Sequence, residues 1–227
     1  MTKFSLKEFY LRTLYANFTT NEDKVSYNLT EENDTLFIFF QWTVGKTDWK
    51  HNFMFAKTPY KNMEISYKVH RGFLKCWKSV EDIIIAKVTE KVNDEYKFKH
   101  IYVGGYSHGG ALAMLCHEAC WYHRPDIRDN IKSVGFAGPR VFGSFSMDKR
   151  LEERWKNFIL LRNSDDIVTY LPPRIFGYRH VGNLVHIGKD KHYGLIKSHM
   201  EKHIFESLDE YEFNETWETI LCSEDGD

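Results

Sequence analysis

An α/β fold, with a central, mostly parallel sheet and helices on both of its faces, is what the sequence predicts, and three observations predict it. Short apolar runs of β-rich composition recur along the chain. Stretches of helical period stand between or after most of them, the grammar of a sheet built from strand–helix units. One strand candidate leads into a small-residue helix through "GYSHG", Gly105 to Gly109. At 227 residues and 42% hydrophobic, the chain can bury a full core, and it contains no linker-like tract, internal repeat or low-complexity segment, so one domain spanning residues 1–227 is expected.

The first helix opens on a capping box, Ser5-Leu6-Lys7-Glu8, with Phe4, Leu6, Tyr10, Leu14 and Phe18 at helical spacing. "TLFIFFQW" (Thr35 to Trp42) is a continuous apolar strand candidate, and "HNFMFAK" and "EISYKVH" follow as two more. Phe73, Trp77, Val80, Ile84, Val88 and Val92 recur at three- and four-residue steps, which predicts one long amphipathic helix. "HIYVGGY", "IKSVGFAG", "NFILLRN" and "HVGNLVHIG" complete the strands, and "HMEKHIFESLDEYEF" reads as a closing helix.

Composition narrows the partners. Lys+Arg 31 against Asp+Glu 32 give a formal net charge of −1, which offers no broad electrostatic footprint for nucleic acid or an anionic membrane surface. Any transient contact with a lipid surface would then be mainly apolar. The N-terminal stretch is broken by charges, unlike a signal peptide, and no run is long enough to span a membrane. Cys76, Cys116, Cys120 and Cys222 lack the density of a disulfide scaffold and are read as reduced thiols, so a cytoplasmic location is expected. Secretion would instead make Asn17, Asn28 and Asn214 glycosylation acceptors. Cys116, Cys120 and His123 share a helix face, but one helix does not supply a tetrahedral set, so packing is expected there and no metal.

"GYSHG" carries the chemistry. A serine at a sharp strand-to-helix turn is held in strained backbone with its hydroxyl exposed, and side chains two residues either side would collide with the adjoining strand and helix. Gly105 and Gly109 remove those collisions around Ser107. The backbone N–H of His108 opens the helix, at the positive end of its dipole, where an oxyanion forming on an attacked ester carbonyl can be received. The His108 side chain itself is read as solvated at the turn.

A serine nucleophile of this type is followed in the chain by an acid and then a histidine. "NFILLRNSDDIVTYLPP" places Asp165 and Asp166 just beyond a strand end, and His180, His186, His192, His199 and His203 come later.

With those residues set out, the sequence resembles the class 3 lipases, the fungal-type triacylglycerol lipase family. "GYSHGGALA" is similar to that family's G-H-S-L-G-G-A-L-A elbow, "VHRGF" to V-H-x-G-F, "FAGPRVFG" to G-x-P-R-x-G, and "DIVTYLPP" to D-I-V-P-x-L-P-P. "FQWTVGKTDW" resembles F-R-G-T-x-x-x-x-D-W. The landmarks run in the family's order from about Phe40 to Pro173. The resemblance implies an α/β-hydrolase fold and ester hydrolysis by a Ser-Asp-His triad without metal or organic cofactor.

Carried over residue by residue, the resemblance makes Ser107 the nucleophile, Asp166 the acid and His199 the base. It places the oxyanion donors on Thr43 and the His108 backbone. Asp166 rather than Asp165 stands immediately before Ile-Val. Local pattern supports His199: Ser198-His199-Met200-Glu201 reads as a capping box that would make His199 the first helical residue. Gln41 and Trp42 depart from the family's Arg-Gly, Thr169 replaces a proline, and His108 replaces an apolar residue. A lid between Thr43 and about Asn52 would be short, and Trp49 and Phe53 could form an apolar lip there. The function implied is a lipase or esterase acting on acylglycerol, phospholipid or smaller esters, with no obligate protein partner. The alternative is a lipase-like binding or signalling module that has lost turnover, which the altered oxyanion loop would allow.

Overall fold

The computed structural model describes residues 5–41, 55–62, 65–143 and 152–211. Its first helix, α1 (Leu6–Tyr15), opens on the expected capping box: the Ser5 hydroxyl accepts from the Glu8 N–H, and the Glu8 carboxylate accepts from the Ser5 N–H. The strands that follow are β1 (Thr19–Thr20), β2 (Ser26–Glu32) and β3 (Thr35–Phe40). After them come β4 (Lys57–Asn62), β5 (Ile65–His70), α2 (Arg71–Lys78), α3 (Glu81–Val88), β6 (Lys91–Val92) and β7 (Glu95–Tyr96). The elbow region is β8 (His100–Tyr106) and α4 (His108–His123), and the remainder is β9 (Ile131–Phe136), β10 (Phe142–Gly143), β11 (Phe158–Asn163), β12 (Asn183–Ile187) and α5 (Glu201–Glu210).

The main sheet has seven strands in the order β1-β2-β3-β8-β9-β11-β12. β3, β8, β9, β11 and β12 run parallel, and β1 and β2 add an antiparallel edge. β10, β5 and β4 form a separate antiparallel sheet, and β6 pairs with β7. β2 was not legible as a strand, because "SYNLTEE" is largely polar; its single buried residue is Tyr27.

Strand pleating sends alternate side chains into two cores. Leu36, Ile38 and Phe40 of β3 join Ile101 and Val103 of β8 beneath α2, α3 and α4. Phe37 and Phe39 join Tyr102, Val134 and Phe136 beneath α1 and α5. Gly104 makes room for α1, since a Cβ there would stand 2.7 Å from the Phe9 ring. The helices on both faces and the mostly parallel sheet are as expected from sequence.

The long helix expected over Phe73 to Val92 is in fact two. α2 ends at Lys78, and Val80 adopts φ −124° before α3 begins. The Ser79 hydroxyl donates to the Cys76 carbonyl (2.8 Å), and the Asn21 amide, from a distant loop, donates to both the Ser79 carbonyl and its Oγ. Trp77, Val80, Ile84 and Val88 are all fully buried, so the apolar period runs straight through the break. Val92 lies instead in an exposed hairpin strand. No helix among the described residues is long and apolar enough to cross a membrane.

Candidate active site

Two parallel strands, β8 and β11, deliver residues to the site from their carboxyl ends, where ligands bind in open α/β sheets. Ser107 follows the end of β8 and occupies φ 56°, ψ −117°, a conformation that costs a non-glycine residue about 1–3 kcal/mol. Its backbone is pinned from both sides: its N–H donates to the Phe136 carbonyl (2.8 Å) and its carbonyl accepts from the Gly110 N–H (3.0 Å). A Cβ on Gly105 would lie 2.1 Å from the Gly109 carbonyl oxygen, and one on Gly109 would lie 2.2 Å from that of Phe40. Strand, turn and helix therefore meet at a separation that only glycine tolerates.

Asp166 follows the end of β11 by three residues and is wholly buried, whereas Asp165 points outward on the same turn. One Asp166 oxygen accepts from the Val168 N–H (2.9 Å), which fixes the carboxylate plane. Its other oxygen accepts from His199 Nδ1 at 2.9 Å. His199 Nε2 stands 2.8 Å from Ser107 Oγ. With Nδ1–H donating to the carboxylate, Nε2 presents its lone pair to the Ser107 hydroxyl, the tautomer required of a general base. Ser107, His199 and Asp166, separated by as many as 92 positions in sequence, are thus brought into one hydrogen-bonded line.

His199 does not occupy the first helical position expected for it. Residues Lys197–His199 form a single 3₁₀ turn, α5 begins at Glu201, and Met200 is its N-cap without a side-chain cap. Ser198 is buried in that turn, its carbonyl accepting from the Asn163 amide at 2.8 Å, so it caps no helix. The imidazole is oriented by Asp166 and by Tyr106, whose ring stacks on it and whose hydroxyl donates to the His199 carbonyl. Neither Tyr106 nor Asn163 is marked as a functional residue by the sequence. Tyr106 lies next to the serine, but nothing in the local pattern indicates that it meets a residue 93 positions later.

The remaining candidates separate cleanly. The His108 ring is half-buried with its edge against Phe73, ring centroids 5.5 Å apart, rather than solvated. His203 is hydrogen-bonded to Glu206 and stacked on Tyr193, His186 donates to the Ser164 carbonyl, and His192 is exposed. His180 donates to the Thr169 carbonyl, and burial holds its pKa down to about 3. Cys116 and Cys120 are buried with sulfurs 3.9 Å apart, while His123 is exposed and does not join them. Among the described residues no group of ligating side chains could hold a metal ion. Thr43, with Trp42, Trp49 and Phe53, lies outside the described residues.

Arg140 and Arg162 are buried behind the acid loop. Arg140 donates to the carbonyls of Tyr170 and Pro172, and Arg162 donates to the Thr169 hydroxyl, which in turn donates to the Asp166 carbonyl. They tie the loop carrying Asp166 to β11 and to the "GPR" segment. Burial, aided by repulsion from Arg174 and Arg162, pulls the Arg140 pKa down to about 10, so it stays charged at neutral pH.

A nucleophile elbow at the carboxyl end of a parallel sheet, with serine, imidazole and carboxylate in line, is the constellation of an α/β-hydrolase site. The family model of the class 3 lipases matches residues 37–176, and the chain belongs to that family. It is 27% identical over 157 residues to a lipase of Rhizomucor miehei, covering 67% of this chain and 41% of that protein. It is 29% identical over 138 residues to secreted mono- and diacylglycerol lipase 1 of Fusarium solani, covering 61% and 39%. The chain therefore spans about two fifths of the length of these curated relatives. Among solved structures, lipase II from Rhizopus niveus superposes with a TM-score of 0.65 at 24% identity, over 76% of this chain and 65% of that one, a likeness of fold.

Proposed function

We propose that this chain is a serine carboxylic-ester hydrolase of the lipase or esterase type, acting on acylglycerols, phospholipids or smaller esters. One observation carries the reading: His199 bridges the Ser107 hydroxyl and the Asp166 carboxylate at 2.8 and 2.9 Å, with the serine in strained elbow geometry. The names of the relatives, lipases and a mono- and diacylglycerol lipase, support a lipid ester as substrate.

In this reading Ser107 Oγ attacks the ester carbonyl carbon as its proton passes to His199 Nε2. The carbonyl π-bond opens to an oxyanion next to the His108 N–H, at the positive end of α4. Thr43 is proposed as the second donor. The tetrahedral adduct collapses by breaking the bond to the alcohol oxygen, which takes the proton from Nε2, and leaves Ser107 acylated. Water then attacks the acyl carbon, gives its proton to Nε2, and the released serine oxygen takes it back. Asp166 keeps Nδ1 protonated and stabilises the imidazolium formed in both halves, remaining ionised throughout.

The test is covalent labelling of the protein by a fluorophosphonate probe, with Ser107→Ala as control, together with hydrolysis of short p-nitrophenyl esters. Labelling confined to the protein with Ser107 and accompanied by turnover is expected. A protein that neither labels nor turns over would be a binding module on a lipase fold.

A further inference from the structure

The segment from Ile167 to Met200 differs in charge from the rest of the chain. It carries Arg174, Arg179, Lys189, Lys191 and Lys197 against a single acid, Asp190, a formal net charge of +4 in a protein whose total is −1. Its two exposed tips share one composition. Arg174-Ile175-Phe176 and Leu195-Ile196-Lys197 each present large apolar side chains beside one cation. Ile175 is 84% exposed and Ile196 77%, with Phe176 and Leu195 each half out of the protein. Most other exposed apolar side chains stand singly on separate elements. Neither Arg174 nor Lys197 forms an ion pair among the described residues.

The two tips belong to one side of the site. The Ile167 N–H donates to the Leu195 carbonyl (3.1 Å), which joins the second tip to the turn after Asp166. Arg140 binds the carbonyls of Tyr170 and Pro172, which holds the first tip to the same turn. His199 lies two residues past Lys197. Positive charge also stands behind the tips: Arg140 and Arg162 both feel Arg174 as a repelling neighbour, and Asp166 offsets Arg162.

We infer that these two tips form a docking surface for anionic phospholipid bilayers, seating Ile175, Phe176, Leu195 and Ile196 among the acyl chains and Arg174 and Lys197 at the headgroup phosphates. Apolar wedges flanked by cations combine the two weak signals that together give stable membrane attachment. An acidic protein or nucleic acid would use the charges but leave the isoleucines in water. The inference rests on the hydrolase reading for what is then cleaved. Docking itself is measured without turnover.

The experiment is sedimentation of the Ser107→Ala protein with vesicles of phosphatidylcholine alone and of phosphatidylcholine with phosphatidylserine. Strong binding to the mixed vesicles, weak binding to phosphatidylcholine alone and release by added salt are expected. The double variant Arg174→Gln, Lys197→Gln should weaken binding to the mixed vesicles about 25-fold, at roughly fivefold per lost cation. Phe176→Ser with Ile196→Ser should abolish binding even at low salt. Equal binding to both vesicles, no binding to either, or unchanged binding by the variants would overturn the inference. Fluorophosphonate labelling of the same variants with Ser107 retained reports whether the site is assembled. Failure of the wild type to label would count against the hydrolase reading and leave the docking result standing.

Discussion

The phenol ring of Tyr106 lies over the imidazole of His199, centroids 5.3 Å apart and planes 24° from parallel, while its hydroxyl donates to the carbonyl of the same histidine. One side chain thus limits both the tilt of the ring and the backbone that carries it. Its neighbour Tyr10 meets it edge-on at 6.0 Å, which ties this support to α1.

Tyr106 should therefore behave as a positioning residue. Tyr106→Phe keeps the stack and loses the hydrogen bond, and kcat for a short ester is expected to fall about 3- to 10-fold with KM little changed. Tyr106→Leu, which loses both, should fall further. If Phe and Leu variants matched the wild type in kcat, the stacked tyrosine would be packing alone.

For the base, His199→Ala is expected to be as inactive as Ser107→Ala, each losing on the order of 10⁴-fold or more. His192→Ala and His203→Ala should each retain at least about a tenth of wild-type activity. The exposed ring of His192 and the Glu206–His203 pair contribute nothing to the line from Ser107 to Asp166. An inactive His203→Ala beside an active His199→Ala would reverse the assignment.

For the acid, Asp166→Asn should cost about 10⁴-fold in kcat, because an amide facing Nδ1 favours the wrong imidazole tautomer. Asp165→Asn, altering the exposed carboxylate next to it, should stay within a few-fold of wild type. Comparable losses in both would mean that the turn as a whole, rather than the Asp166–His199 bond, sets the rate.

These assignments also mark what could be read in the chain. The elbow was legible because its requirements are local: β8, a serine and two glycines whose missing Cβ atoms lie within one turn of each other. Asp166 and Asp165 were separable only by family resemblance, since nothing in the triplet Ser-Asp-Asp says which side chain turns inward. The two misread helices share one cause. α2 and α3 are separated by caps on Ser79 supplied by Asn21, and α5 starts late because Asn163 and Tyr106 hold the Ser198 and His199 carbonyls. In both places a side chain far away in sequence takes a backbone group that local pattern would give to a helix. Periodicity and capping motifs contain no record of such partners.

The elbow glycines make a prediction with an unusual sign. Gly109 lies in the first turn of α4, and Gly→Ala inside a helix ordinarily stabilises by roughly 0.5–1 kcal/mol. Here the added methyl would stand 2.2 Å from the Phe40 carbonyl oxygen, a backbone atom that cannot swing aside. Gly109→Ala should instead destabilise by about 1–3 kcal/mol in urea unfolding and slow fluorophosphonate labelling of Ser107. A gain in stability would show that strand and helix can part without cost.

His117 is completely buried in α4, accepting from the Ser133 hydroxyl at Nδ1 and donating to the Arg154 carbonyl from Nε2, with the Trp155 ring stacked on it. Burial holds its pKa down to about 4, against about 6.5 in the unfolded chain. Between those values the unfolded state binds a proton that the folded state refuses, so this group's contribution is fully present above about pH 6.5 and is lost as pH falls toward 4. The loss amounts to about 2.5 kcal/mol by roughly pH 4.5, or about 5–10 °C in Tm for a chain of this size. Carboxylates with depressed pKa values, such as Asp126 beside Arg124, lose their contributions only at lower pH. His117→Gln keeps a donor for the Arg154 carbonyl and removes the titration, so its Tm should fall less steeply than that of the wild type over that window, the remaining slope coming from His180 and His186, whose pKa values burial also lowers. Parallel Tm–pH curves for wild type and His117→Gln would show that the buried imidazole does not govern the acid limb.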